Sequence, residues 1–279
     1  MTYSAVATVL HTNDPSNAAF ETAISFARKH DVHLHVLCLG MDHSETGYYY
    51  AGAQAFVIQQ NFELAQAMAK EVQTIAQTRL QREDIKWDIR AVTVMPSGLT
   101  TLLSDTMRFY DLNFLRTPYQ PHSNDIDRQI FETCLFSAGA PVLVVPDDTR
   151  TDGVFDRVMV AWDDGQQALA SVRAARPLIT QADLVEITIV DPAQHGPDRS
   201  DPGGRVASYL ARSGASADIV IMARTLPSVA EQLLQIATDR QMELIVMGAY
   251  GHSPLREAIL GGATRDMLRN AKMPILMAH

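Results

Sequence analysis

The residues best suited to chemistry run from Gly248 to Thr264: Gly248-Ala249-Tyr250-Gly251, nine residues, then Gly261-Gly262-Ala263-Thr264. Glycine tolerates positive φ and has no Cβ to hold a ligand away. An apolar run, Leu244-Ile245-Val246-Met247, precedes this stretch, and Met267, Leu268 and Ala271 follow at helical spacing. Strand, glycine-rich loop and helix start together aim backbone N–H groups at a phosphate. A plain turn is the competing reading. Four glycines and a hydroxyl residue at a helix mouth favour phosphate.

The rest of the chain offers binding groups more readily than a reaction. No lysine follows the glycine loop, so the P-loop pattern is absent. His252 could polarise a γ-phosphate and Arg256 could neutralise one, or both could simply face solvent. No Ser/His/Asp, Cys/His or paired-carboxylate set stands out, and no base for an attacking water is identifiable. The expectation is a regulatory binder of a phosphate-bearing ligand, with slow hydrolysis at most. No catalytic residue is assigned. His33 and His35 straddle Leu34 on a predicted strand, which sets both rings on one side of a sheet. They read as a metal pair lacking a third ligand, or as polar residues of an alternating strand under the following crossover. No metal ligand set is assigned. Tyr48-Tyr49-Tyr50 could touch a partner, act as a lid or be buried between domains.

Two repeats of one element order must position these residues. The first half reads as strands near 5–10, 32–39, 87–94, 112–115 and 142–145, with helices near 17–29, 56–80, 99–109 and 126–137. The second reads as strands near 158–161, 184–190, 219–223, 244–247 and 275–277, with helices near 168–179, 206–212, 229–240 and 265–270. Asp111-Leu112 answers Glu243-Leu244, and Ala140-Pro141-Val142-Leu143 answers Met273-Pro274-Ile275-Leu276, at offsets of 132 and 133 residues. The polar segment 146–153 marks the boundary, giving domains 1–147 and 154–279. The stripe Ile58, Phe62, Ala65, Ala69, Val72, Ala76 and Leu80 has the spacing of a core-facing helix.

Alternating strands and helices imply an α/β fold of parallel sheets with helices on both faces. Ligands in such sheets lie beyond the carboxyl ends of the strands, where strand order reverses. A reversal between the first and fourth strands of the second half would bring the loop after Ala161, Trp162-Asp163-Asp164-Gly165, to the loop after Met247. Asp163 could then accept hydrogen bonds from a ribose or base, or cap the following helix.

Composition narrows the field. The chain has 279 residues, 47% hydrophobic and 20% charged, with a net charge of −9. That balance argues against nucleic acid or an anionic membrane as a partner. No apolar run is long enough to span a bilayer, and nothing resembles a signal peptide. Cys38 and Cys134 sit in apolar contexts, so a reduced, cytoplasmic protein is expected.

The tail Val246-Met247-Gly248-Ala249-Tyr250-Gly251-His252-Ser253, with Gly261-Gly262-Ala263-Thr264 and Met273-Pro274-Ile275-Leu276, resembles the universal stress protein family. The resemblance covers both halves. It implies a tandem member: two open five-stranded parallel sheets, each of order 3-2-1-4-5, packed as a pseudo-dimer through antiparallel final strands. It also implies an adenine-nucleotide site, ATP or ADP/AMP with or without Mg²⁺. By that resemblance Asp163 lies near ribose and adenine and Val190 offers its backbone to adenine. Gly248 and Gly251 form the loop, and Gly261, Gly262, Ala263 and Thr264 face the phosphates. The family usually has Ser or Thr where Gly262 stands, so one hydroxyl is lost.

The first half departs further. Asp14 keeps the acidic position, but Leu115-Arg116-Thr117-Pro118-Tyr119-Gln120-Pro121-His122 replaces the glycine loop, and each proline removes an N–H donor. Arg128-Gln129-Ile130-Phe131 stands roughly opposite Gly261 to Thr264. At most one nucleotide per chain is expected. The reading is a stress-response regulator that binds an adenine nucleotide. Its alternative is a nucleotide-free, chaperone-like interaction protein with a relic loop. A relative of adenylyl-transfer enzymes or electron-transfer flavoproteins would need further sequence that is not found. Tandem fusion would satisfy the edges of both final strands within one chain, and a dimer of chains and an unidentified protein partner stay open.

Overall fold

The computed structural model describes residues 2–12, 14, 17–44, 51–120, 123–192, 201–249 and 262–279, without the side chains of 51–55. Short β-branched and aliphatic runs form ten strands: β1 Ala5–Leu10, β2 His33–Met41, β3 Trp87–Val94, β4 Leu112–Arg116, β5 Val142–Val145, β6 Arg157–Ala161, β7 Leu184–Val190, β8 Asp218–Met222, β9 Leu244–Gly248 and β10 Ile275–Ala278. Between them lie α1 Ala18–His30, α2 Ala51–Leu80, α3 Pro96–Met107, α4 Asp125–Glu132, α5 Gln166–Ile179, α6 Gly204–Arg212, α7 Val229–Asp239 and α8 Gly262–Asn270. A π-helical turn, Thr133–Ser137, extends α4.

The strands form one ten-stranded sheet of order β3-β2-β1-β4-β5-β10-β9-β6-β7-β8. Every pair is parallel except β5–β10, where Leu143 lies opposite Leu276 in an antiparallel seam. Each side of the seam has the order expected from the sequence. The seam pairs two strand edges that would otherwise carry unmet donors and acceptors. The sheet is therefore continuous, with β3 and β8 as its free edges.

Alternation along the strands sends side chains into two apolar layers. Val6, Leu34, Phe114, Val158, Val160 and Leu276 face α1, α2, α5 and α6. Ala7, Leu37, Leu115, Met159, Ile245 and Met277 face α3, α4, α7 and α8. Both layers run through the seam. Tyr3 adds a direct tie, its hydroxyl donating to the Ala174 carbonyl at 2.8 Å. No described helix is long and apolar enough to cross a membrane.

Helix α2 corrects one expectation. Ala65, Ala69, Val72, Ala76 and Leu80 are buried, but Ile58 and Phe62 are exposed. Thirty helical residues span about 45 Å, whereas the nine residues of β2 span about 30 Å, so the start of α2 outruns the strand beneath it. Where helix and strand do meet they are close. A Cβ at Gly40 would collide with the Ala65 carbonyl.

Candidate functional site

The site lies at the carboxyl ends of β6 and β9. These are adjacent parallel strands, with Ala161 opposite Met247, and β6 leads away from β9 towards β7. Strand order reverses between them, and the loops after Ala161 and Met247 start side by side.

On the β6 side, Asp163 Oδ1 accepts the Gly165 N–H at 2.9 Å. The cap position of α5 belongs to Gly165, with no side-chain cap, so Asp163 closes an Asx turn just ahead of the helix. Of the two readings of Asp163, the helix cap is thereby set aside. Val190, half-buried at the end of β7, pairs with Met222 of β8. Beyond it, Asp191 has φ of 49° and accepts the Arg224 N–H at 2.9 Å. Asp164 has φ of 61° and lies 3.7 Å from the Arg205 guanidinium at the start of α6. These two acid–base pairs rim the same end of the sheet, and neither was foreseen from sequence. Their signal was an acid directly after a strand, which does not identify its partner.

On the β9 side, a Cβ at Gly248 would lie 2.5 Å from the Ala168 nitrogen and 2.8 Å from the Gln167 carbonyl carbon. The Ala249 N–H donates to the Ala278 carbonyl at 3.1 Å, so it is committed to the sheet. Gly248 thus serves the approach of α5 to β9. Any amides free for an anion would start after Ala249. Gly251 and Gly261 lie outside the described residues, as do His252, Arg256 and Tyr48 to Tyr50.

Helix α8 opens at Gly262. The first N–H groups of a helix have no intrahelical acceptor. Gly262 and Ala263 are exposed, and no described atom lies within 4 Å of where a Cβ on Gly262 would stand. Thr264 is buried, so its side chain is turned away from open solvent.

The topological counterpart in the first half, between β1 and β4, is built differently. Helix α4 starts at Asp125, seventeen residues before Val142, whereas Gly262 lies thirteen before Ile275. The counterpart of the α8 start is therefore Asn124 to Asp127, one turn ahead of Arg128 to Phe131. Asn124 accepts the N–H groups of Ile126 and Asp127, and Asp127 accepts that of Asn124 at 2.9 Å, a reciprocal capping box. Asp127 also lies 2.7 Å from His11 Nε2, with both side chains buried. Burial alone would raise the Asp127 carboxyl's pKa. The hydrogen bond and charge of His11, the Asn124 N–H and the charge of Arg116 outweigh burial and hold it below its ordinary value. Arg116, in turn, forms a two-point contact with Asp147 at 3.1 and 2.9 Å. A carboxylate of the chain itself stands where an anion would meet this helix.

His33 Nε2 and His35 Nδ1 reach the two oxygens of Asp88 on β3, at 2.6 and 2.7 Å. His35 also stacks on Tyr110, with 5.1 Å between ring centres. The rings are thus tied to a carboxylate on the neighbouring strand, and Tyr110 covers His35. Among the described residues no group of three or more His, Cys, Asp or Glu is placed to hold a metal.

Residues 155–279 match the model of the Universal stress protein family. The Universal stress protein Slr1230 of Synechocystis sp. is 24% identical over 152 residues, 52% of this chain and 49% of that protein. The chain thus spans about half the length of this curated relative. A universal stress protein from Archaeoglobus fulgidus superposes with a TM-score of 0.64 at 15% identity, covering 97% of this chain and 94% of its own. The functionally unknown protein PA1789 from Pseudomonas aeruginosa gives 0.60 at 15% identity, covering 98% and 92%. These likenesses extend the α/β fold with its largely parallel mixed sheet over almost the whole chain.

Proposed function

We propose that the chain is a tandem stress-response regulator that binds one adenine nucleotide, ATP or ADP/AMP with or without Mg²⁺, in its second half. In this reading residues 1–147 and 154–279 are two universal stress protein-like units, and only the second keeps a working pocket. The difference between two equivalent helix starts carries the reading. At α4 the first amides and the space before them are taken by Asn124, Asp127 and His11. At α8 Gly262 and Ala263 are exposed, with no described atom within 4 Å of the Cβ position of Gly262. A helix start of that kind suits phosphate, because N–H groups and the helix dipole both favour negative charge.

The base and ribose would lie towards Asp163 and Val190. The phosphates would lie along the segment from Gly251 to Gly262, Ala263 and Thr264. Because the Ala249 N–H is committed to Ala278, phosphate contacts begin after it. Signalling by bound nucleotide, not turnover, is the proposed activity. The thiols of Cys38 and Cys134 are buried, and burial pushes both pKa values up to about 12, which keeps them protonated and unreactive; the proposed location is the cytoplasm.

Native mass spectrometry of the purified chain tests the proposal, with calorimetric titration of ATP, ADP and AMP. The expected result is one equivalent site per chain, abolished by Gly251→Leu. A chain that takes up none of these nucleotides would instead be the interaction protein with a relic loop. Retention of nucleotide by Gly251→Leu, or two equivalent sites, would also overturn the assignment.

A further inference from the structure

Helix α2 carries a second apolar stripe that nothing described covers. Val57 is 51% exposed, Leu64 62%, Met68 51% and Ile75 38%. At 3.6 residues per turn these four fall on one line, roughly a quarter turn from the alanine-rich face that packs on the sheet. Their 7-4-7 spacing is that of a coiled-coil seam, which wants another helix. Single exposed apolar residues need no explanation, but an aligned row of four does.

The order of the row shows which helix fits. Val57 and Ile75 stand nine residues either side of Gln66, and Leu64 and Met68 stand two either side. A two-fold axis relating antiparallel copies of α2 would set each Val57 against Ile75 and each Leu64 against Met68, branched against branched and long against long. A two-fold contact must be complementary to itself, and this row of four is.

From these features we infer that the outer face of α2 is the contact surface for a second copy of this chain, packed as an antiparallel helix pair. The row is about 27 Å long on a helix about 10 Å across, less than the roughly 800 Å² per partner of a standard interface. The dimer is therefore weak and forms as concentration rises. It leaves the β6/β9 site open and does not depend on nucleotide.

Sedimentation velocity of the full chain over a concentration series tests this, with Leu64→Glu, Met68→Lys and the double variant. The expected result is a concentration-dependent dimer in the unmodified chain and monomer for each single variant. The dimer should return in the double variant, because the introduced carboxylate of one copy then faces the introduced ammonium group of the other. Circular dichroism should be unchanged throughout, since both side chains are exposed. A monomer at all concentrations, a dimer indifferent to the single variants, or a double variant that stays monomeric would each overturn the inference.

Discussion

Gly248 and Ala168 approach so closely that a single methyl group could not stand between them. A Cβ on Gly248 would come within 2.5 Å of the Ala168 backbone nitrogen, and neither backbone can move aside without shifting β9 or α5. Gly248→Ala should therefore lower stability by about 1–3 kcal/mol. Thermal melts without added nucleotide would show it. A drop seen only with nucleotide present would assign Gly248 to the ligand instead.

Ser171 closes the same junction from the helix side. Its hydroxyl accepts the Ala278 N–H at 2.8 Å and donates to the Met247 carbonyl at 2.7 Å, deep in the core. Ser171→Ala leaves both buried backbone groups without that partner, a cost of about 1–3 kcal/mol. Amide exchange at Ala278 should accelerate in the variant more than exchange in the first half of the chain.

Asp127 makes stability depend on acid. Its carboxyl is held below the ordinary value in the folded state, so the folded protein favours the charged form more than the unfolded chain does. That contribution is present above the unfolded value and is lost as pH falls through the depressed folded one. Asp127→Asn removes this titration. Urea midpoints from about pH 5 to about pH 2 should fall less steeply in the variant than in the unmodified chain. Parallel slopes would show that the His11 contact does not stabilise the charged carboxylate.

The continuous sheet predicts the form of unfolding. Both apolar layers pass through the β5–β10 seam, and Thr149 on the connecting segment donates to the Lys272 carbonyl at 3.0 Å. Calorimetric unfolding should give one transition whose van't Hoff and calorimetric enthalpies agree. Two separated transitions would mean that the halves hold together independently.

Much of this was legible in the chain itself. Local patterns such as Leu244-Ile245-Val246-Met247 placed every strand. The strands were legible because strand alternation and helical spacing are written in neighbouring residues. Spacing also drew the full apolar row of α2, but it could not tell that Ile58 and Phe62 overhang the sheet, since that depends on the length of the strand below.

Other assignments needed the third dimension. Gly248 read as a loop glycine, yet its closest neighbours are Gln167 and Ala168, eighty residues earlier. Asp127 was an unremarked helical acid until the fold set it beside His11, 116 residues away in the chain. His33 and His35 showed no partner in the sequence; β3 sets Asp88 beside both rings, as a hydrogen-bonding carboxylate. Periodicity reports which face a residue takes, because that follows from backbone geometry. It carries no information about what stands across a gap, because that is settled only when distant segments pack.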